Sequence, residues 1–340
     1  MVGVVPGGAL PAAAAGLALA ASLLAPDAAT LPRQARWRTF VKAAGVVDVV
    51  GPRADGRLVV ATHGGLFLLR PGGPLQPFAR GPGGYVATAG EPYVALALDR
   101  RSARAGCSFR RGDLFALDPS ATPGVVRVDG RGRASRFADL PAGTFPSGIA
   151  FDGVGRFGSR LLVAGVVGQA TTLYAIDCRG RPRVIVRDGP KVEGGMAVAP
   201  RSFGRFAGDL IAADETSGRI LAFGSGGRTR LVAESGLPVG PDIGVEAMGF
   251  VPPGLGDRGA AYVADLGAPG SPTEGTDSVL ALRGPELSRA RLRAGDLLVA
   301  SEARARTIVV RCARRCTVRR VAIGPAATHG EGHVAFVRGR

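Results

Sequence analysis

EGGMAVAPRSFGRFAGDLIAADETSGRILAF, residues 193–223, is three short apolar runs separated by Gly, Pro, Ser and Asp, and its reading decides the fold. Each run has strand length, and the breaks between them are turn residues. The middle run, two apolar residues followed by Ala, recurs along the chain as GRLVVAT from Gly56, PYVALALD from Pro92, RLLVAG from Arg160, DLIAADE from Asp209, AYVADL from Ala261 and DLLVASE from Asp296. Aligned on Ala61, Ala95, Ala164, Ala213, Ala264 and Ala300, the repeats are 34, 69, 49, 51 and 36 residues apart. Their mean spacing of about 48 residues is that of a four-stranded propeller blade. The long second interval holds an insertion around Arg100 to Arg111.

Companion strands recur at matching offsets. A run opening with Gly or Glu precedes the repeat (PSGIAFD, EGGMAVAP, VEAMGFVP, EGHVAFV), a third follows it (GGLFLLR, TLYAID, RILAFG, SVLALR), and a fourth comes after that (LQPFAR, ASRFADL, RVIVRD, RLVAES). The expectation is an all-β, six-bladed β-propeller of four-stranded antiparallel blades, forming one domain over residues 36–340, with seven blades as the alternative because LSRARLR from Leu287 could end one blade or begin another. RWRTFVKA from Arg36 reads as an outer strand and the C-terminal EGHVAFV as an inner strand with none after it, so the chain ends would supply partial blades that close the ring and leave no open sheet edge.

Composition agrees. With 53 Gly and 25 Pro in 340 residues, long helices have little room, and 46% hydrophobic against 21% charged residues excludes a disordered chain. The net charge of +16 comes from 41 arginines and 2 lysines, in a chain with no asparagine. Arginines alternate along strands (Arg133, Arg136; Arg181, Arg183), the pattern of a solvated sheet face. No zinc-finger spacing, RNP-type motif or helix-turn-helix accompanies them, so nothing points to nucleic acid. A basic surface suits an anionic polymer of the cell envelope as partner.

Residues 1–29, with an apolar stretch from Ala9 to Ala25, read as an export signal, a membrane anchor being the alternative, and predict a secreted or envelope-associated protein, monomeric. Four cysteines suit an oxidising compartment. Cys312 and Cys316 face each other across a tight turn, which leaves Cys107 to pair with Cys178.

The phrases at 193–223 and 245–267 (VEAMGFVPPGLGDRGAAYVADLG) resemble repeats of the six-bladed TolB-like propellers, particularly the senescence-marker-protein/gluconolactonase and NHL groups. The resemblance implies a divalent cation in the central channel, held in the gluconolactonase group by a Glu, two Asn and an Asp, the Asp also serving in lactone hydrolysis. Matching positions here are Glu193 and Glu246 at the starts of first strands and Asp214 and Asp265 at the ends of second strands, which gives Asp265 the hydrolytic role. Both Asn ligands are missing.

In a propeller, first-strand starts and second-strand ends meet at one mouth of the channel. That mouth is expected to gather Glu193, Glu246, Glu331, Asp99, Asp214, Glu215, Asp265 and Glu302 with His63, His329 and His333. Carboxylates suit calcium, the favoured cation, whereas a mixed Glu/His set suits zinc or another transition metal able to activate water. The expected metal set is Glu193, Asp214, Glu246, Asp265 and Glu331; alternatively, the aspartates cap turns and the glutamates pair with arginines. No G-x-S-x-G, H-E-x-x-H or phosphate-binding loop is present. The leading expectation is a binding protein for a small molecule or an anionic envelope partner; a metal-dependent lactone or ester hydrolase and a protein-interaction scaffold are the alternatives.

Overall fold

The computed structural model describes residues 34–339, apart from 88–89, 99–100 and 103–105. The expected signal segment and Asp99 lie outside the described residues. The chain is almost wholly β, in a propeller-like arrangement of small antiparallel sheets. Four sheets are four-stranded, and in chain order each begins at the strand Val46–Val50, Val94–Leu96, Phe145–Phe151 or Glu193–Val198. A fifth sheet has nine strands.

Strand Leu210–Asp214 shows why the runs are so apolar. Leu210 and Ala212 pack into the core shared with the preceding sheet, whereas Ile211 and Ala213 pack into the core shared with the next. Alternate side chains point to opposite faces of a strand, and here both faces are covered, so alternation is replaced by a continuous apolar run. Six apolar clusters of this kind lie between successive groups of strands.

The second sheet corrects one expectation. Val94–Leu96 is its inner strand, paired only with Leu114–Asp118, so PYVALALD is a first strand and not a second. The true counterpart of the repeat is the strand Leu114–Asp118, whose Leu117 packs toward the next sheet as Ala61, Ala164 and Ala213 do and lies 56 residues after Ala61 and 47 before Ala164. The uneven first two intervals came from aligning the wrong strand.

The nine-stranded sheet corrects another. Val245–Phe250 pairs antiparallel with Leu297–Ser301, not with the next strand in sequence, Ala260–Asp265. Ala260–Asp265 pairs instead with the C-terminal strand Gly330–Val337, while its other neighbour, Ser278–Arg283, pairs with Arg38–Lys42. The two inner strands meet at one parallel bridge, Met248 with His333. VEAMGFV and EGHVAFV carry nearly the same pattern, so sequence alone could not say which of them receives AYVAD. The N-terminal strands hold both halves: Ala35–Arg36 pairs with Cys316–Ile323, and buried Trp37 donates its indole N–H to Thr307 Oγ1 at 2.8 Å.

Both expected disulfides are present, Cys107–Cys178 across 71 residues and Cys312–Cys316 across 4. The first ties the small hairpin Arg101–Ser102/Cys107–Ser108, in the predicted insertion, to the third sheet's last turn.

Candidate functional site

Four of the inner strands are kinked near their starts, where site residues stand. Register shifts fall between Val46 and Asp48, Pro146 and Gly148, Glu193 and Ala197, and Val245 and Ala247. Such bulges re-aim side chains beside functional sites, and here Glu246 is an extra residue, turned out of its ladder. Two glycines make room. Gly194 (φ +77°) could not carry a Cβ without striking the Glu246 carboxylate, and a Cβ on Gly332 (φ +67°) would lie 2.5 Å from Asp48 Oδ1.

Tyr93 is the centre of an acidic cluster. Its phenol oxygen lies 2.6 Å from Glu91 Oε2, 2.8 Å from Glu246 Oε1 and 2.8 Å from Glu331 Oε2. A phenol has one proton to donate, so it satisfies one of these carboxylates. The other two contacts need protons on the carboxyl side or a cation between the groups. Glu246 and Glu331 are 2% and 1% exposed. Burial, then the neighbouring carboxylates, pushes both well above the ordinary glutamate range. Burial likewise pushes Glu91 up to about 7, and Glu215 at the rim, beside Glu302, up to about 8.

His329 extends the cluster. Its Nδ1 lies 2.9 Å from the Thr273 carbonyl, an acceptor only, so Nδ1 carries a proton. Nε2 then faces Glu302 Oε1 and Glu331 Oε1, each at 3.2 Å. Burial opposes charge on this ring, but Glu302 outweighs it and holds the imidazole pKa above its usual value. A histidine anchored through Nδ1–H to a carbonyl offers Nε2 as the ligand nitrogen of a metal site. Two sets of donor atoms lie within 4.8 Å of one another: Glu302, His329 and Glu331, and Glu91, Glu246 and Glu331.

Of the five expected metal-set residues, the structure brings Glu246 and Glu331 together. Glu193 is half-buried and pairs with Lys191 at 3.4 Å. Asp214 accepts bonds from Thr216 and Ser217, which outweigh its burial and lower its pKa. Asp265 lies behind the cluster. Its Oδ1 accepts the backbone N–H of His329 at 2.9 Å and that of Thr276 at 3.2 Å, and its Oδ2 accepts the Thr276 and Ser278 hydroxyls. It positions His329. His63 is exposed on a turn.

His333 stands deeper. Its Nδ1 is 2.9 Å from Asp48 Oδ2, and its Nε2 donates to the Ile149 carbonyl at 3.0 Å, so both ring nitrogens are donors and the ring is an imidazolium paired with Asp48. Asp48, fully buried, also accepts the backbone N–H groups of Val49, Val94 and His333. The pair joins the inner strands of the first three sheets to Gly330–Val337.

Sequence reasoning missed Glu91, Tyr93 and Asp48. Glu91 stands just before an inner strand, as Glu193 and Glu246 do at the starts of theirs, and reading PYVALALD as a second strand concealed it.

No protein-family model matches the sequence, and no curated protein matches it. Among solved structures, virginiamycin B lyase from Staphylococcus aureus is similar at 12% identity and a TM-score of 0.42, over 83% of this chain and 86% of that one. Regucalcin from Agrobacterium tumefaciens, described as a calcium-binding protein, is similar at 14% and 0.37, over 69% and 74%. A gluconolactonase from Xanthomonas campestris is similar at 18% and 0.37, over 68% and 70%. At these levels the strand pairings, and not the likenesses, carry the description of the fold.

Proposed function

We propose that the chain is an exported six-bladed β-propeller whose buried acidic cluster exchanges protons for a divalent cation, through which it binds a small molecule. The observation that carries this is Tyr93: three carboxylates share one phenol, while His329 Nε2 faces two more carboxylate oxygens. The blade count is supported by resolving the nine-stranded sheet at the one bridge between its two inner strands, Met248 with His333, into two four-stranded sets, with Ala35–Arg36 as an added edge. The six apolar clusters between neighbouring sets support it as well. Export is supported by the apolar stretch from Ala9 to Ala25 and by the two disulfides.

Glu302, His329 and Glu331 would hold the cation, with Glu246 and Glu91 alongside. An imidazole nitrogen among carboxylates moves the preference from calcium toward manganese or zinc. The hydrolase alternative has less support, because both oxygens of Asp265 are engaged in holding neighbours. Thermal melts of the full chain with manganese, zinc and calcium test the reading. A cation at a hundredfold excess over its dissociation constant adds about 2.7 kcal/mol, and the gain disappears in His329→Ala and in Glu331→Gln. A melting temperature indifferent to all three cations would reject it.

A further inference from the structure

The inner strands run from the acidic cluster toward a cavity of about 1590 Å³ at their other end, lined by Val50, Ala197, Phe250 and Val337 from the ends of four of them. Six arginines line it: Arg53, Arg70, Arg111, Arg258, Arg283 and Arg338. Some arginines of strands elsewhere have acidic partners, as Arg127 has Asp113 and Arg311 has Asp296, whereas Arg183 and Arg187 stand exposed on an edge strand. Among the described residues, Arg70, Arg111, Arg258, Arg283 and Arg338 have no ion pair and no side-chain hydrogen bond. The two carboxylates in the wall do not balance them: Asp55 is taken by Arg57 at 2.7 Å, and Asp257 stands alone among five guanidinium groups.

Arg53 is the wall's buried member. Its side chain is 11% exposed and lies over the Phe78 ring at 4.9 Å. Its Nη2 donates to the Gly130 carbonyl at 3.5 Å, but Nε and Nη1 are buried without a hydrogen-bond acceptor, Nε lying 3.7 Å from Asp55 Oδ2. A buried guanidinium so poorly compensated, with more at the rim, focuses positive potential into a concave space. Guanidinium groups pair with phosphate and carboxylate groups through two parallel hydrogen bonds. Between the arginines the wall is mostly apolar and aromatic, with Met248, Phe250, Tyr262 and Phe336, and it reaches the His333 ring paired with Asp48.

We propose that this cavity is a second binding site, for a small organic molecule carrying two or more phosphate, sulfonate or carboxylate groups on an apolar body. It is separate from the acidic cluster and does not depend on a cation there. Two probes test it on the full chain: inorganic pyrophosphate by titration calorimetry, and anilinonaphthalene sulfonate, an aromatic anion, by fluorescence. Pyrophosphate is expected to bind and to displace the dye. The double variant Arg258→Glu/Arg338→Glu should weaken pyrophosphate about tenfold or more. Arg183→Glu/Arg187→Glu, the same change in net charge on the exposed edge strand Pro182–Gly189, should weaken it less than about twofold. Equal weakening by both pairs would overturn the proposal by showing attraction to net charge alone. So would failure of either probe to bind, or binding of long-chain polyphosphate without pyrophosphate.

Discussion

At one end of the inner strands carboxylates crowd together with too few cations, and at the other arginines crowd together with too few carboxylates. The two excesses are not equivalent. A carboxyl can take a proton, so Glu91, Glu246 and Glu331 persist in burial by neutralising one another through Tyr93. A guanidinium cannot lose its charge at any ordinary pH, so five of the six arginines of the cavity keep their exposure, and only Arg53 is largely enclosed. Excess negative charge can therefore be buried, and excess positive charge must stay near water or meet an anion. Between them, Asp48 and His333 make a balanced pair.

The comparison would be broken most severely by removing the strand that serves both ends. Gly330–Val337 supplies Glu331 to the acidic cluster, His333 to the middle, and buried Val334 and Phe336 to the core beside the cavity. Each of those apolar side chains stabilises by about 1.5–3 kcal/mol, and Asp48 would be left as a buried unpaired charge. Deleting residues 330–340 should therefore cost about as much as the whole stability of an ordinary domain. Calorimetry should show no cooperative transition; an unchanged midpoint would mean that the strand supports neither region.

A smaller change asks whether the middle pair holds the ends together. Asp48→Asn keeps the shape but removes the negative charge beside an enclosed imidazolium. Breaking one partner of such a pair costs about 3–5 kcal/mol. Denaturant unfolding should show that loss, and Asp48→Asn/His333→Gln should recover part of it. A loss below about 1 kcal/mol would place Asp48 among ordinary surface-like charges.

The strands were legible because a propeller covers both faces of its middle strands, and the result, as in LLVAG and LIAAD, is an apolar run that turn residues cut to length. Which strand joins which was legible only where consecutive strands pair. The exchange between Val245–Phe250 and Gly330–Val337 depends on two nearly interchangeable partners for Ala260–Asp265, a choice made by long-range packing. The acidic end was half legible. Glu246, Glu302, His329 and Glu331 stand at strand ends, as expected, but no spacing rule links Tyr93 to carboxylates 153 and 238 residues away. Nor does the sequence separate Asp265, consumed by its hydroxyl neighbours, from Glu331, which shares one phenol with two other carboxylates. The arginines of the cavity were hidden among 41.

The response to pH is the sharpest test of the contrast, because it changes protons on the carboxylates and leaves the guanidinium groups unchanged. Glu91, Glu215, Glu246 and Glu331 all have pKa values raised in the folded protein, so the folded state holds more protons than the unfolded one once pH exceeds the free glutamate value of about 4.5. Stability is then fully present below pH 4.5 and falls as pH rises, through about 7 for Glu91 and about 8 for Glu215. His329 and His333, also raised, act in the same direction. Glu91 alone corresponds to about 3 kcal/mol, and half-buried Glu215 adds less because water screens it. Metal-free protein should melt several degrees lower at pH 8 than at pH 5. Saturating manganese should cancel or reverse the slope, since a cation competes with those protons and binds more tightly as they leave. A metal-free melting temperature that is flat or rises between pH 5 and 8 would mean that the carboxylates around Tyr93 are not held as acids.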